Sequence, residues 1–276
     1  MTSPNSSASA GRAALSKIDY ACVAPIDDAF LTSAQEIATR LDLPLIAVPV
    51  APRQCTETGL LLQCGEELAL QLTGPNAPGP VAVDFGSSHM RHRRQSGHNE
   101  LLGRAAGVGK KPRLGVVDAT AGLGRDSFVL ADLGCEVLLC ERNTLIQSLL
   151  QDGLRRAGLG DLWLQEVASR MSLWCGDSTG APQLAQGEWD VIYLDPMFPA
   201  REKSAAVKKE MALFQYLLSD DAQDQGALLD WALMQDVARV VVKRPPKAEH
   251  LGDKKPSHSI KGKAVRYDVY VLRALA

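Results

Sequence analysis

From residue 116 onward, short apolar runs alternate with segments of helical spacing, and this alternation limits the fold more than any other feature of the chain. Val116 to Thr120, Glu136 to Glu141, Met171 to Cys175, Trp189 to Asp195 and Val240 to Lys243 have strand length. Arg125 to Leu133, Thr144 to Ala157 and Leu228 to Ala238 repeat apolar residues at helical intervals. Neighbouring parallel strands need a crossover long enough to hold a helix, so the pattern predicts an α/β fold with a parallel sheet covered on both faces. Tyr267 to Leu272 closes the chain as a further strand.

Upstream the pattern is smaller in scale. An apolar stretch begins at Tyr20, a helical segment is predicted near Ala29 to Arg40, and a second apolar run covers Leu45 to Val50. Leu60 to Cys64 and Leu68 to Thr73 read as a hairpin, followed by the breakers Gly74 to Pro80. The expected organisation is a loose tail at 1–16, a small α/β domain at 17–80 and the main domain at 81–276. No apolar stretch reaches membrane-spanning length and the first residues lack the apolar core of a secretory signal, so a cytosolic protein is expected. Six cysteines stand without a C-x-x-C pair, which predicts neither a metal site nor a disulfide framework and reads them as small buried residues.

In an open α/β sheet, ligands bind outside the carboxyl ends of the strands. Asp118-Ala-Thr-Ala-Gly122-Leu-Gly124 leaves the first of these strands there, followed by Arg125 and Asp126. Its glycines permit a tight turn with close backbone approach to a ligand, although a βα turn without a ligand has the same residues. Glu141 ends the second strand, placed to accept both hydroxyls of a ribose. Asp177-Ser178 follows the third, placed to meet an adenine edge; both groups are also ordinary helix caps. A dinucleotide fingerprint requires a third glycine where this chain has Ser127. A carboxylate such as Asp118 suits a cationic sulfonium better than a pyrophosphate, which favours S-adenosylmethionine over a nicotinamide dinucleotide.

The fourth strand of the pattern ends in Asp195-Pro196-Met197-Phe198. This is similar to the Asp/Asn-Pro-Pro-Tyr/Phe tetrapeptide of enzymes that methylate exocyclic base amines. Such an amine is a poor nucleophile because its lone pair is delocalised into the ring. Asp195 and the Pro196 carbonyl are candidate acceptors that favour a localised lone pair, and Phe198 is a candidate stacking face. Net charge is −2, yet residues 239–266 hold nine Lys/Arg against two acids. Arg91, Arg93, Arg94, Lys203, Lys208, Lys209, Lys243 and Arg244 are the candidate phosphate contacts, with a solvated face as the alternative.

Taken together, Val117 to Asp126, Glu141-Arg142-Asn143, Tyr193 to Pro199, Lys203-Ser204, Val207 to Met211, Val240 to Pro245 and His92-Arg93-Arg94 resemble the ribosomal small subunit methyltransferase J family. Met197 is what that family carries in place of the second proline. The resemblance implies a Rossmann-like class I methyltransferase sheet with a small N-terminal α/β domain, S-adenosylmethionine as cofactor, and transfer to the N2 amine of a guanosine in small-subunit ribosomal RNA. It also implies cofactor contacts from Arg125, Asp126, Glu141, Arg142, Asp177, Ser178 and Asp195, although the family commonly has Ser-Ser where this chain has Asp177-Ser178. The alternatives are methylation of another base amine or a small molecule, a nicotinamide-dependent oxidoreductase, and a non-catalytic RNA-binding module.

Overall fold

The computed structural model describes residues 21–95, 101–181, 184, 188–196, 205–217 and 225–275. In chain order the elements are β1 (Ala21–Pro25), α1 (Leu31–Leu41), β2 (Leu60–Cys64), β3 (Leu68–Leu72), β4 (Val81–Ala82), α2 (Ser88–Gln95), α3 (Leu101–Ala106), β5 (Gly115–Asp118), α4 (Arg125–Asp132), β6 (Glu136–Glu141), α5 (Thr144–Gly158), α6 (Leu162–Ala168), β7 (Met171–Cys175), β8 (Val191–Leu194), α7 (Ala205–Leu217), α8 (Gln225–Leu233), β9 (Arg239–Arg244), β10 (His258–Lys261) and β11 (Arg266–Val271). Two compact units result: Met1–Val83 with Ala200–Asp221, and Asp84–Pro199 with Ala222–Ala276. The tail expected at 1–16 lies outside the described residues.

The first unit contains a four-stranded sheet in the order β1-β2-β3-β4. β1 and β2 pair in parallel across α1, whereas β2 and β3 form the expected antiparallel hairpin, with Leu62 opposite Leu70. The helix begins two residues later than the sequence suggests, because Asp27 caps a 3-10 turn at Asp28–Phe30 first. Leu45 to Val50 is not a strand. Leu45 makes a single bridge to Val23, and Pro44 and Pro49 bring no N–H to a ladder. Ile46 nonetheless packs with Cys22, Ala24, Cys55 and Leu61 in this unit's core.

The second unit is built on a seven-stranded sheet in the order β10-β11-β9-β8-β5-β6-β7. β7, β6, β5, β8 and β9 run parallel, and β11 and β10 add an antiparallel edge. From β5 the chain moves outward to β6 and β7, then returns to β8 on the other side of β5. The strand order therefore reverses between β5 and β8, the crevice where such sheets bind ligands.

Val117, Leu138, Ile192, Leu194, Val240 and Val242 pack in one core cluster with Leu228, Leu229 and Ala232 of α8. Each fully buried side chain of this size stabilises the fold by about 1.5 to 3 kcal/mol. At the opposite strand ends, the buried Asp190 accepts the Gly115 N–H at 3.0 Å and Lys111 at 3.1 Å, fixing β5 beside β8. Five cysteines are buried as expected; Cys175 is exposed because β7 is the sheet edge. Among the described residues no helix is long and apolar enough to cross a membrane, and no group of His, Cys, Asp and Glu is arranged to hold a metal ion.

Candidate active site

β5 brings Asp118 to its carboxyl end, and the chain then turns through residues 119–124 into α4. Both neighbouring strands hold this turn: Ala119 N–H donates to the Tyr193 carbonyl at 3.0 Å and Ala121 N–H to the Cys140 carbonyl at 3.1 Å. Gly122 and Gly124 have φ of 53° and 70°, in the left-handed region that favours glycine. A Cβ on Gly124 would also stand 2.9 Å from Leu150 and 3.2 Å from Phe85, so this residue lets the turn press onto the core.

Glu141 stands at the end of β6. One carboxylate oxygen accepts Gly122 N–H at 3.0 Å and the other accepts Asn143 N–H at 2.8 Å, tying the glycine turn to the next strand. Burial raises its carboxyl pKa, opposed by the N–H groups of Asn143, Gly122 and Arg142. A carboxylate offers about four lone-pair directions, so further acceptance from two ribose hydroxyls remains available.

Asp118 occupies a different place from the one its position in the motif suggests. Its side chain is buried, accepts Ser127 Oγ at 2.5 Å and Thr120 N–H at 3.1 Å, and so faces into the protein. Burial pushes its carboxyl up to about 7, against the lowering effect of the Ser127 and Thr120 hydrogen bonds. Ser127, which replaces the third glycine of a dinucleotide fingerprint, is thus Asp118's partner. Asp177 caps a short 3-10 turn, accepting Thr179 N–H at 2.8 Å and Thr179 Oγ1 at 2.6 Å, and Ser178 is buried behind it.

The next residue after β8 is Asp195. Its N–H donates to Thr120 Oγ1 at 2.7 Å, joining the end of β8 to the glycine turn. Lys243 Nζ donates at 2.7 Å to Asp195 Oδ2 and at 2.7 Å to Asp126 Oδ2, and Tyr193 Oη donates to the same Asp126 oxygen at 2.7 Å. Arg93 approaches Asp126 at 3.5 Å. Burial works against the Lys243 ammonium, and the two carboxylates more than offset it, so its pKa is raised. Burial pushes Asp126 up, but Lys243, Tyr193 and Arg93 leave it below the usual carboxylate range. For Asp195, burial and the nearby Asp126 outweigh Lys243, and the pKa is raised.

Several residues read as phosphate contacts are committed elsewhere. Lys243 is inside the site, between two acids. Arg244 is buried and donates to the Glu249 carbonyl at 2.7 Å. Arg91 pairs with Asp161 at 2.7 Å and lies over the Trp163 ring, and Arg94 pairs with Asp132 at 2.5 Å. Lys243, Arg91 and Arg94 are engaged by partners distant in sequence, which a count of basic residues along the chain does not reveal. Arg125 is exposed at the start of α4, Arg142 is half-buried after Glu141, and Pro196 is buried. Phe198 and Lys203 lie outside the described residues, and Lys208 and Lys209 fall on α7.

Thr120 and Tyr193 escaped the sequence reading, as did the role of Lys243. The register offered a signal for two of them. Leu194 stands beside Val242, so the next positions are Asp195 and Lys243, and Tyr193 shares a strand face with Asp195. The donor set fits a cationic cofactor: Asp195, Asp126 and Glu141 place acidic oxygens around the turn where a pyrophosphate would need donors.

The family model described as "Putative SAM-dependent methyltransferase" matches residues 47–272. The chain is 48% identical over 250 residues to "Ribosomal RNA small subunit methyltransferase J" of Pseudomonas fluorescens strain Pf0-1, covering 89% of this chain and 92% of that relative. The protein of the same name from Marinobacter nauticus is 49% identical over 247 residues, covering 88% of each. Among solved structures, the SAM-dependent methyltransferase NGO1261 from Neisseria gonorrhoeae superposes with a TM-score of 0.67 at 38% identity, covering 92% of this chain and 97% of that one.

Proposed function

The chain belongs to the ribosomal RNA small subunit methyltransferase J family of SAM-dependent methyltransferases, and we propose that it methylates the exocyclic N2 amine of a guanosine in small-subunit ribosomal RNA. The observation that supports this reading is the Thr120–Asp195 hydrogen bond, which joins the glycine turn after β5 to the end of β8 at the strand-order crevice. Membership of this family sets aside the nicotinamide alternative.

S-adenosylmethionine would supply, when bound, an electrophilic methyl group on a cationic sulfur that would keep the C–S electron pair, and the amine nitrogen receiving the methyl would release one proton to solvent. The chain's own residues do the rest. Glu141 would accept the ribose hydroxyls, Asp177 would meet the adenine edge with the buried Ser178 behind it, and Arg125, Asp126 and Arg142 would complete the surround of Gly122 and Gly124. Asp195 and the Pro196 carbonyl accept the amine N–H groups, which favours the localised lone pair of the transition state over the conjugated ground state. Phe198, by its place in the tetrapeptide, stacks on the base.

RNA is held at the same edge. β11 begins at Arg266 opposite Arg244, so the β10–β11 turn lies at the carboxyl end of β9 beside the site. The exposed Lys261 and Lys263 are at that turn, and the exposed Lys247 follows β9. We assign the phosphate contacts to these lysines, with Arg93 nearer the site, in place of Lys243 and Arg244. The test is methyl transfer to small subunits and free ribosomal RNA from cells lacking this protein, followed by mass-spectrometric mapping. One N2-methylguanosine is expected. Label on DNA alone, or on a small molecule alone, would overturn the reading.

A further inference from the structure

We propose that Lys243 is a positioning residue for methyl transfer: by bridging Asp126 and Asp195 it decides which Asp195 oxygen faces the amine and keeps that carboxylate charged. The inference rests on the methyl-transfer reading above and concerns a residue which that reading otherwise leaves without a task.

The geometry is a continuous chain. Tyr193 Oη, Asp126, Lys243 Nζ and Asp195 Oδ2 are linked by three contacts of 2.7 Å each. Thr120 fixes the Asp195 backbone from β5, and Lys243 fixes its side chain from β9, so the carboxylate is held from both neighbouring strands. With Oδ2 taken by Lys243, Oδ1 is the oxygen turned over to an incoming amine. The Asp195 side chain is 37% exposed against 13% for Asp126, so of the two acids bridged by Lys243 it is Asp195 that a base can reach.

Charge gives the second half of the argument. An ionised Asp195 offers only acceptors to the amine, whereas its protonated form would present a donor in the same place. Burial first, and then the Asp126 carboxylate from α4, oppose ionisation, and Lys243 from β9 favours it; also facing the group are Asp118 from β5 and the neutral phenols of Tyr193 on β8 and Tyr267 on β11, while Arg93 from α2 lies against Asp126. Lys243 is the cation in direct contact with Asp195. Without it, two carboxylates would share one site, a situation in which one of them takes up a proton.

The test uses the full chain with Lys243→Met, Lys243→Arg and Asp126→Asn. Lys243→Met should lower kcat near neutral pH about a hundredfold, the scale of a misplaced reacting group. Its affinity for S-adenosylhomocysteine by calorimetry should change less than about threefold, because the lost interaction belongs to the transition state. The ascending limb of its kcat–pH profile should move to higher pH, Lys243→Arg should restore much of the loss, and Asp126→Asn should move the limb to lower pH by removing the like charge. An NMR titration of Asp195 in the free protein should show the same two opposite shifts.

An unchanged Asp195 titration in all three variants overturns the inference, as does a Lys243→Met enzyme whose loss of rate follows its loss of melting temperature with an unmoved pH profile. If Lys243→Met does not fold, the opposite shift in Asp126→Asn decides the matter. A wild-type enzyme inactive on ribosomal RNA would instead count against the substrate reading, and the titration would still judge Lys243.

Discussion

The Asp195 backbone N–H donates to the Thr120 hydroxyl at 2.7 Å, and this bond ties the glycine turn after β5 to the strand end after β8. Thr120→Val keeps the shape of the side chain but leaves that N–H without its acceptor. A fully buried donor left unpaired costs about 1 to 3 kcal/mol, and this half-buried one the lower end of that range. We expect kcat to fall at least about tenfold, as expected for a sub-ångström displacement of reacting groups, with stability reduced by the amount above. Thr120→Ser should behave nearly as wild type. Wild-type turnover in Thr120→Val would show that the two loops are aligned by other contacts.

Glu141 serves two partners, the Gly122 turn and the proposed ribose. Glu141→Ala should therefore weaken S-adenosylhomocysteine binding by about 1 to 3 kcal/mol through lost charged hydrogen bonds. Glu141→Gln keeps one acceptor oxygen and should lie between the two. Calorimetry gives the answer directly, and equal dissociation constants across the three proteins would remove the ribose assignment.

Asp195→Ala removes the proposed acceptor itself. Methyl transfer should drop below detection while the circular-dichroism spectrum persists and the affinity for S-adenosylhomocysteine, which lacks the cationic sulfur, falls far less than the rate, since an acceptor needed at the transition state contributes less to the ground state. Full activity in this variant would end the proposed mechanism.

The strand ends were legible in the sequence because a parallel strand buried on both faces is an apolar run with a sharp polar stop. Asp118, Glu141 and Asp195 mark three such stops, and β6 and β7 begin and end where the pattern places them. Less legible was what each polar group touches. Lys243 reads as one member of a basic run, yet the β8–β9 register sets it beside Asp195, and register depends on pairing between segments 48 residues apart. Asp118 reads as a ligand group, but its partner Ser127 is nine residues on, around the turn. α6 and β10 were missed for simpler reasons. The first has seven residues and depends on its Asp161 cap, and the second is mostly polar on an outer strand.

Asp118 predicts a pH effect with a defined sign. Its folded pKa is raised from 3.8 to about 7 by burial, so the folded protein holds a proton that the unfolded chain has released. Stability contributed by this group is then full below about pH 4 and declines as pH rises to about 7, the direction linkage requires when the native state binds more protons. Asn at this position can donate to Ser127 and accept from Thr120 without titrating. The stability of Asp118→Asn relative to wild type should increase steadily from pH 4 to pH 7 and then level off. A constant difference in urea melts over that range would mean that Asp118 is already ionised in the folded state.

Binding to ribosomal RNA should depend on salt through few lysines. Lys247, Lys261 and Lys263 are exposed at the carboxyl edge of β9, whereas Lys243 and Arg244 are engaged within the protein. Each phosphate contact adds about 0.7 to 0.9 to the slope of log affinity against log salt. The triple change of Lys247, Lys261 and Lys263 to Ala should therefore make the slope shallower by about 2 to 3. Affinity for S-adenosylhomocysteine should stay constant, because these residues lie outside the carboxylate cluster around Asp195. Filter binding from low to physiological salt measures both slopes. Equal slopes for wild type and triple variant would move the RNA path off this edge of the sheet.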